Sequence, residues 1–112
     1  MKKVGILRCQ QTEDMCPGTK CLTFPGKAAG AFAKTGTVEV VGFLTCGGCP
    51  GKKVARRAKV MIDKGAEAIV LASCITKDNI PKATFRCDYS EKIIESIRKF
   101  IGDEVEIIDW TH

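Results

Sequence analysis

The sequence lacks the features that mark membrane-spanning and secreted proteins. Its 112 residues contain no apolar run near the roughly 20 residues that a membrane-spanning helix needs. The N-terminal apolar stretch, Val4 to Leu7, is shorter than the core of about 7 to 15 residues that a signal peptide carries. We therefore expect a cytoplasmic protein with no membrane partner.

Aromatic residues and histidine are also scarce. One Trp and one Tyr leave little surface on which bases could stack, although the net charge is +5. The basic residues are spread along the chain, apart from one dense cluster between Lys52 and Lys59, and this pattern argues against nucleic acid as a partner. The single histidine, His112, is the last residue, a position that is usually frayed and therefore poor for a metal ligand.

Cysteine, in contrast, is abundant. An odd number of thiols cannot close into a complete set of disulfides, and a reducing compartment favours metal ligation or thiol chemistry instead. The seven cysteines are Cys9, Cys16, Cys21, Cys46, Cys49, Cys74 and Cys87.

Alternating strand and helix patterns predict an α/β fold with one domain over residues 1–112. Apolar residues at helical spacing predict helices over residues 51–64 and 90–101, the second with Ser90 as its N-cap. A weaker pattern predicts a short helix within residues 20–35. We expect a three-layer sandwich around a four-stranded parallel sheet, in the flavodoxin-like strand order 2-1-3-4. Segments rich in β-branched and apolar residues predict the four strands: residues 3–8, 38–44, 68–72 and 105–110.

The predicted sheet brings cysteines from distant parts of the chain to one edge. Cys9 follows the first strand, Cys46 and Cys49 follow the second, and Cys74 follows the third. Because parallel strands all end at the same edge, these thiols should lie where open α/β sheets bind ligands.

The remaining three cysteines lie in connections between the predicted strands. Cys16 and Cys87 are in the two longest loops, which should leave from the same edge, and their polar neighbours make them poor core residues. Cys21, at the start of a predicted helix, fits a site or a buried core position equally well, because free cysteine is often a small buried hydrophobic residue.

The stretch Cys46-Gly-Gly-Cys-Pro-Gly-Lys-Lys53 is the most informative motif. Its spacing lets two sulfurs reach one zinc ion, or each other in a disulfide. The two glycines allow backbone angles that other residues resist, and they expose amide groups that can hydrogen-bond to thiolates. Pro50 is expected in the first turn of the next helix, whose N-terminal partial charge would favour thiolate over thiol.

Lys52 and Lys53 follow the motif and should also lie in that first turn. Cations there oppose the helix dipole unless an anion lies in front of them, either a thiolate site or a phosphate-like group. A solvated basic face explains the two lysines equally well. An anion- or nucleotide-binding module is thus a third function class, although the Gly-Gly matches neither common phosphate-loop pattern.

Metal ligation and thiol–disulfide exchange are the two leading hypotheses. In the exchange hypothesis, Cys46 is the attacking thiolate and Cys49 resolves the mixed disulfide. Surplus thiols at the same edge hinder a simple dithiol cycle but suit a metal site, which favours the metal hypothesis. Its candidate ligands, in order of preference, are Cys46, Cys49, Cys9, Cys74, Cys16 and Cys87.

Three stretches, Arg8 to Gly18, Gly42 to Lys53 and Ala72 to Lys77, together resemble the CGGC domain family of small prokaryotic proteins. The resemblance covers nearly the whole chain and implies a metal-binding role, usually suggested as zinc. It does not imply an established reaction or partner. The cysteines that match the family's recurrent ones are Cys9, Cys16, Cys46, Cys49, Cys74 and Cys87.

One departure from the family concerns histidine. The family often has a histidine near its last cysteine, whereas this chain reads Phe85-Arg-Cys-Asp-Tyr89. An all-sulfur ligand set, or Asp88 as the substitute, would then serve. Zinc is the expected metal, and an iron–sulfur cluster is the alternative, because several thiolates can hold either.

Overall fold

Strands and helices alternate along the chain in the computed structural model, which describes residues 2–10, 17–72, 75, 89–102 and 105–111. Within these ranges no helix combines the length and the apolar character needed to cross a membrane. The elements in chain order are β1 (Lys2–Arg8), α1 (Thr19–Lys27), a 3₁₀ helix (Gly30–Ala33), β2 (Val38–Thr45), α2 (Val54–Asp63), β3 (Ala68–Leu71), α3 (Ser90–Ile101) and β4 (Glu106–Ile108).

The strands form one parallel sheet in the order β2-β1-β3-β4, which confirms the predicted order. β1 is central and pairs with β2 on one side and β3 on the other. β4 is shorter than the predicted strand over residues 105–110. It pairs with β3 only from Ala68 to Val70, because β3 is itself four residues long and can offer few backbone partners.

Apolar side chains cover both faces of the sheet, as expected for a three-layer sandwich. Successive residues of β3 alternate between two buried clusters, as the two-residue period of a strand requires. Ile69 packs in the cluster that contains the buried residues of α2 and α3. Val70 packs in the other cluster, which contains Phe32 of the 3₁₀ helix and borders Phe24 of α1.

The predicted helix ends were wrong in three places. The helix predicted over residues 51–64 begins only at Val54, because Gly51 has a left-handed φ of +85° that no right-handed helix can include. Tyr89 rather than Ser90 is the N-cap of α3, and its carbonyl accepts the Ile93 N–H at 2.8 Å. The region 20–35 forms two short helices because Ala28, at φ +52°, ends α1.

Two neighbouring glycines allow α2 to lie close to the sheet. Gly5 of β1 and Gly42 of β2 are partners in the strand register. A Cβ on Gly5 would lie 2.7 Å from Met61 Sδ, and one on Gly42 would lie 2.8 Å from Met61 Cγ. Met61 of α2 is 3% exposed and fills the space above both glycines. Because neither glycine has a side chain, α2 can lie closer to the sheet than a larger residue would allow.

We predict that Gly5→Ala destabilises the fold by about 1–3 kcal/mol, because the new methyl group overpacks against Met61. In a Met61→Ala background the same change should cost less than about 1 kcal/mol, since the clashing side chain is gone. Denaturant unfolding of the wild type, the two single variants and the double variant measures both changes in the free energy of unfolding. Gly26→Ala is the control: no atom lies within 4 Å of its added Cβ, and alanine favours the helix, so stability should not fall. Equal costs of Gly5→Ala in both backgrounds would contradict this packing.

Candidate functional site

The ends of β1, β2 and β3 lie side by side at one edge of the sheet. The Cys46 N–H donates to the Arg8 carbonyl at 2.7 Å, which extends the β1–β2 pairing beyond the last strand residues. The Ala72 N–H donates to the Leu7 carbonyl at 2.8 Å on the other side of β1. Cys9, the residue after β1, therefore lies at the same edge as Cys46, the residue after β2.

Both of these cysteines are buried. Cys9 is 1% exposed and Cys46 is 4% exposed, and they belong to one apolar cluster with Cys21 of α1. Cys21, for which the sequence left a core position open, is buried, with its Sγ 3.4 Å from the Thr111 hydroxyl. Three cysteines thus lie in the apolar interior of the protein, two of them directly after β1 and β2.

The Cys46 sulfur has a backbone hydrogen-bond donor. The Gln10 N–H points to Cys46 Sγ at an N–S distance of 3.4 Å. Amide N–H groups directed at sulfur are a recurrent outer-shell feature of thiolate metal sites. This contact links the loop after β1 directly to the sulfur of the loop after β2.

The CGGC loop turns its second cysteine outward. The Gly51 N–H donates to the Gly48 carbonyl at 2.9 Å and closes a turn that contains Cys49 and Pro50. Cys49 is exposed, so the two sulfurs of the motif differ in access to solvent. Pro50 lies in this turn and not in the first turn of α2, which corrects the prediction, and Lys53 is the N-cap of α2.

Arg57 of α2 holds the start of the CGGC loop. Its Nη1 donates to the Thr45 carbonyl at 3.0 Å and contacts the Thr45 hydroxyl at 3.1 Å. A Cβ on Gly47 would lie 3.2 Å from Arg57 Cζ and 3.2 Å from Lys53 Cδ, and Gly47 has a φ of +80°. Glycine at this position therefore allows the side chains of two cations to cover the backbone beside Cys46.

The described part of the chain supplies only a portion of the predicted metal site. Cys9, Cys46 and Cys49 lie within it, and no disulfide joins them. Among the described residues, no group of three or more His, Cys, Asp or Glu side chains is placed to hold a metal ion. The predicted candidates that lie outside the described residues are Cys16, Cys74, Cys87 and Asp88.

Gln10 and Arg57 contact the CGGC loop but were not predicted from the sequence to do so. Gln10 contacts Cys46 through its backbone N–H, which almost every residue type has, so the side chain of Gln10 could not indicate this contact. Arg57 follows Lys53 by four residues, and this spacing places both on one side of a helix, which could have linked them to the motif.

Comparison with known proteins assigns the chain to a family. Uncharacterized protein MJ0582 of Methanocaldococcus jannaschii is 35% identical over 117 residues, which cover 98% of this chain and 86% of that protein. Uncharacterized protein MJ0766 of the same organism is 44% identical over 57 residues, which cover 50% of this chain and 79% of that protein. No solved structure matches. The CGGC domain model matches residues 3–112, and the chain therefore belongs to the CGGC domain family.

Proposed function

We propose that this protein binds a transition metal, with zinc as the expected ion, through cysteine thiolates at the edge where β1 and β2 end. Membership of the CGGC domain family suggests metal binding. The observation that most supports a sulfur site is the position of Cys46: its Sγ accepts the Gln10 N–H, and its backbone is bonded to Arg8, the neighbour of Cys9. Thiolates are the ligands that select zinc, copper(I) and iron–sulfur clusters.

The ligand set combines the two parts of the chain. The interior candidates are Cys9 and Cys46, and the exposed candidate is Cys49 of the CGGC motif. No three described side chains are placed to share a metal ion, so at most two of these thiols ligate together in this arrangement. Because the described residues contain no complete group, at least one further ligand comes from Cys16, Cys74 or Cys87, which lie outside them. A bound metal would supply Lewis acidity if one position stays open, or only cross-linking if four thiolates close the site.

Elemental analysis of protein purified anaerobically, without added metal, tests this proposal. We expect about one equivalent of zinc per chain, and visible absorption bands with iron and sulfide if the iron–sulfur alternative holds. Cys46→Ser should lower the metal content at least about tenfold, because a hydroxyl is a poor replacement for a soft thiolate.

Cys21→Ser is the matched control for that measurement. Cys21 is as buried as Cys46 and lies in the same cluster, yet its sulfur contacts Thr111 and it is absent from the ligand set. This variant should keep its metal. A wild-type metal content below about a tenth of an equivalent, or equal loss in both variants, would count against the proposal.

Thiol–disulfide exchange is the second candidate function, and the unequal exposure of the CGGC sulfurs favours it. An exposed Cys49 can reach a partner disulfide, whereas a buried Cys46 is protected until a mixed disulfide forms. The roles assigned from the sequence are therefore reversed in this proposal.

The Cys49 thiolate attacks the partner disulfide and releases one partner thiolate. The Cys46 thiolate then attacks Cys49 Sγ and releases the second, so the protein is oxidised and the partner is reduced by two electrons.

Alkylation kinetics test the proposed order of the two sulfurs. In metal-free protein we expect iodoacetamide to modify Cys49 at least about tenfold faster than Cys46, because access limits the buried thiol. Peptide mass spectrometry after brief labelling measures both rates. A disulfide between Cys46 and Cys49 after treatment with oxidised glutathione would support exchange. Labelling of Cys46 as fast as Cys49 would refute the assignment.

A further inference from the structure

A cationic cleft lies beside the CGGC loop. It has a volume of about 370 Å³ and is lined by Lys52, Lys53, Arg56 and Arg57. The lining residues that the structure describes include no carboxylate. Four cations around one concave surface repel each other, and an anion that enters the cleft would relieve this repulsion.

Neighbouring side chains in the described part of the chain do not neutralise this cluster. The three ion pairs found there are Lys2–Glu106, Lys59–Asp63 and Lys99–Glu95, and none includes a residue of the cleft. The first turn of α2, which carries both arginines of the cleft, contains no acidic residue. Among the residues that the structure describes, the positive charge of the cleft is therefore not paired, and it could attract an anionic ligand.

Arg57 gives the cleft a fixed donor group. Its Nη1 is held by the carbonyl and hydroxyl of Thr45, and among the described residues no hydrogen bond is made by Nη2 or Nε. The close approach of Gly47 brings this guanidinium next to the CGGC backbone. A guanidinium fork matches the oxygens of a phosphate better than a flexible ammonium group does.

A second cleft of about 260 Å³ adjoins the first and shares Lys52 with it. Pro50, Ile93 and the ring of Tyr89 provide its apolar walls. Besides Lys52, the polar side chains of Lys92 and Ser96 also line it. The two clefts together combine a cationic end with an apolar end. A small molecule with a phosphate at one end and an apolar group at the other fits both.

We propose that the paired clefts form a binding site for a small phosphate monoester, with the phosphate on Lys53, Arg56 and Arg57 and the organic group against Tyr89 and Ile93. The site uses none of the cysteines, so this proposal does not depend on whether the cysteines at the ends of β1 and β2 bind metal. It places an anionic ligand next to Cys46 and Cys49, so it would serve as the substrate or effector site of the sulfur chemistry.

Titration of the full chain at low ionic strength with phenyl phosphate and with inorganic phosphate tests the site. Backbone amide NMR shifts and calorimetry report the binding, and shifts should concentrate on residues 47–57 and, for phenyl phosphate only, on Tyr89 and Ile93. The double variant Lys53→Gln/Arg56→Gln should bind phenyl phosphate about tenfold more weakly, because it loses the charge contacts of two exposed cations with the phosphate.

The double variant Lys34→Gln/Lys64→Gln is the matched control. It removes the same net charge from two exposed lysines outside the clefts, and its affinity should change less than about twofold if the effect is local. Repeating the titration after chelator treatment should give the same affinity, since a bound metal could itself attract phosphate.

Phenyl phosphate binding that exceeds phosphate binding, with loss only in the cleft variant, supports the monoester site. Equal affinity for the two probes, with the same loss, supports the cationic cleft as a free-phosphate site and removes the apolar cleft from the proposal. Equal weakening in both double variants, loss of binding after chelation, or binding of a short single-stranded RNA with no binding of either probe would overturn it.

Discussion

The candidate sites of this protein depend on the parallel pairing of β1 with β2. That pairing runs from Lys2 and Val38 to Arg8 and Thr45, and one more hydrogen bond, from the Cys46 N–H to the Arg8 carbonyl, extends it. Because parallel strands point the same way, the residues that follow them are delivered to one edge. Cys9 and the CGGC loop meet there although they lie far apart in the chain, and Gln10 can then donate to the Cys46 sulfur.

The close packing of α2 on the sheet also positions the residues of the cationic cleft. Gly5 and Gly42 lie beside each other in the sheet and leave room for Met61, which sets the position of α2 above both strands. Arg57, one turn before Met61, thereby reaches Thr45 at the end of β2. One helix, α2, and two strands, β1 and β2, thus position both the cysteines at the strand ends and the cationic cleft. A ligand in the cleft would lie against the loop that carries Cys46 and Cys49.

The described cysteines differ in their surroundings, and three of them contribute to the packing of the interior. Cys9, Cys21 and Cys46 belong to one apolar cluster of the core, in which small side chains of low polarity are well suited to burial. Burial would also exclude water from the proposed thiolate site and limit oxidation of its sulfurs. Cys49 differs because the glycine-rich turn carries it to the surface. One motif therefore combines an interior sulfur with an accessible one, a combination that both metal binding and thiol exchange can use.

Much of the architecture followed from the sequence by itself. Apolar periodicity located the four strands and the helices α2 and α3, and the preference for right-handed crossovers led to the order 2-1-3-4, because these signals are local or general to parallel sheets. Helix ends and exposure were decided by tertiary structure. Gly51 adopts a left-handed φ where a Cβ would lie 3.0 Å from Ile93, so α2 starts later than Pro50 suggested. Cys46 and Cys49 have similar neighbours in the sequence, and only the packing of the β2 end against β1 determined which sulfur is buried.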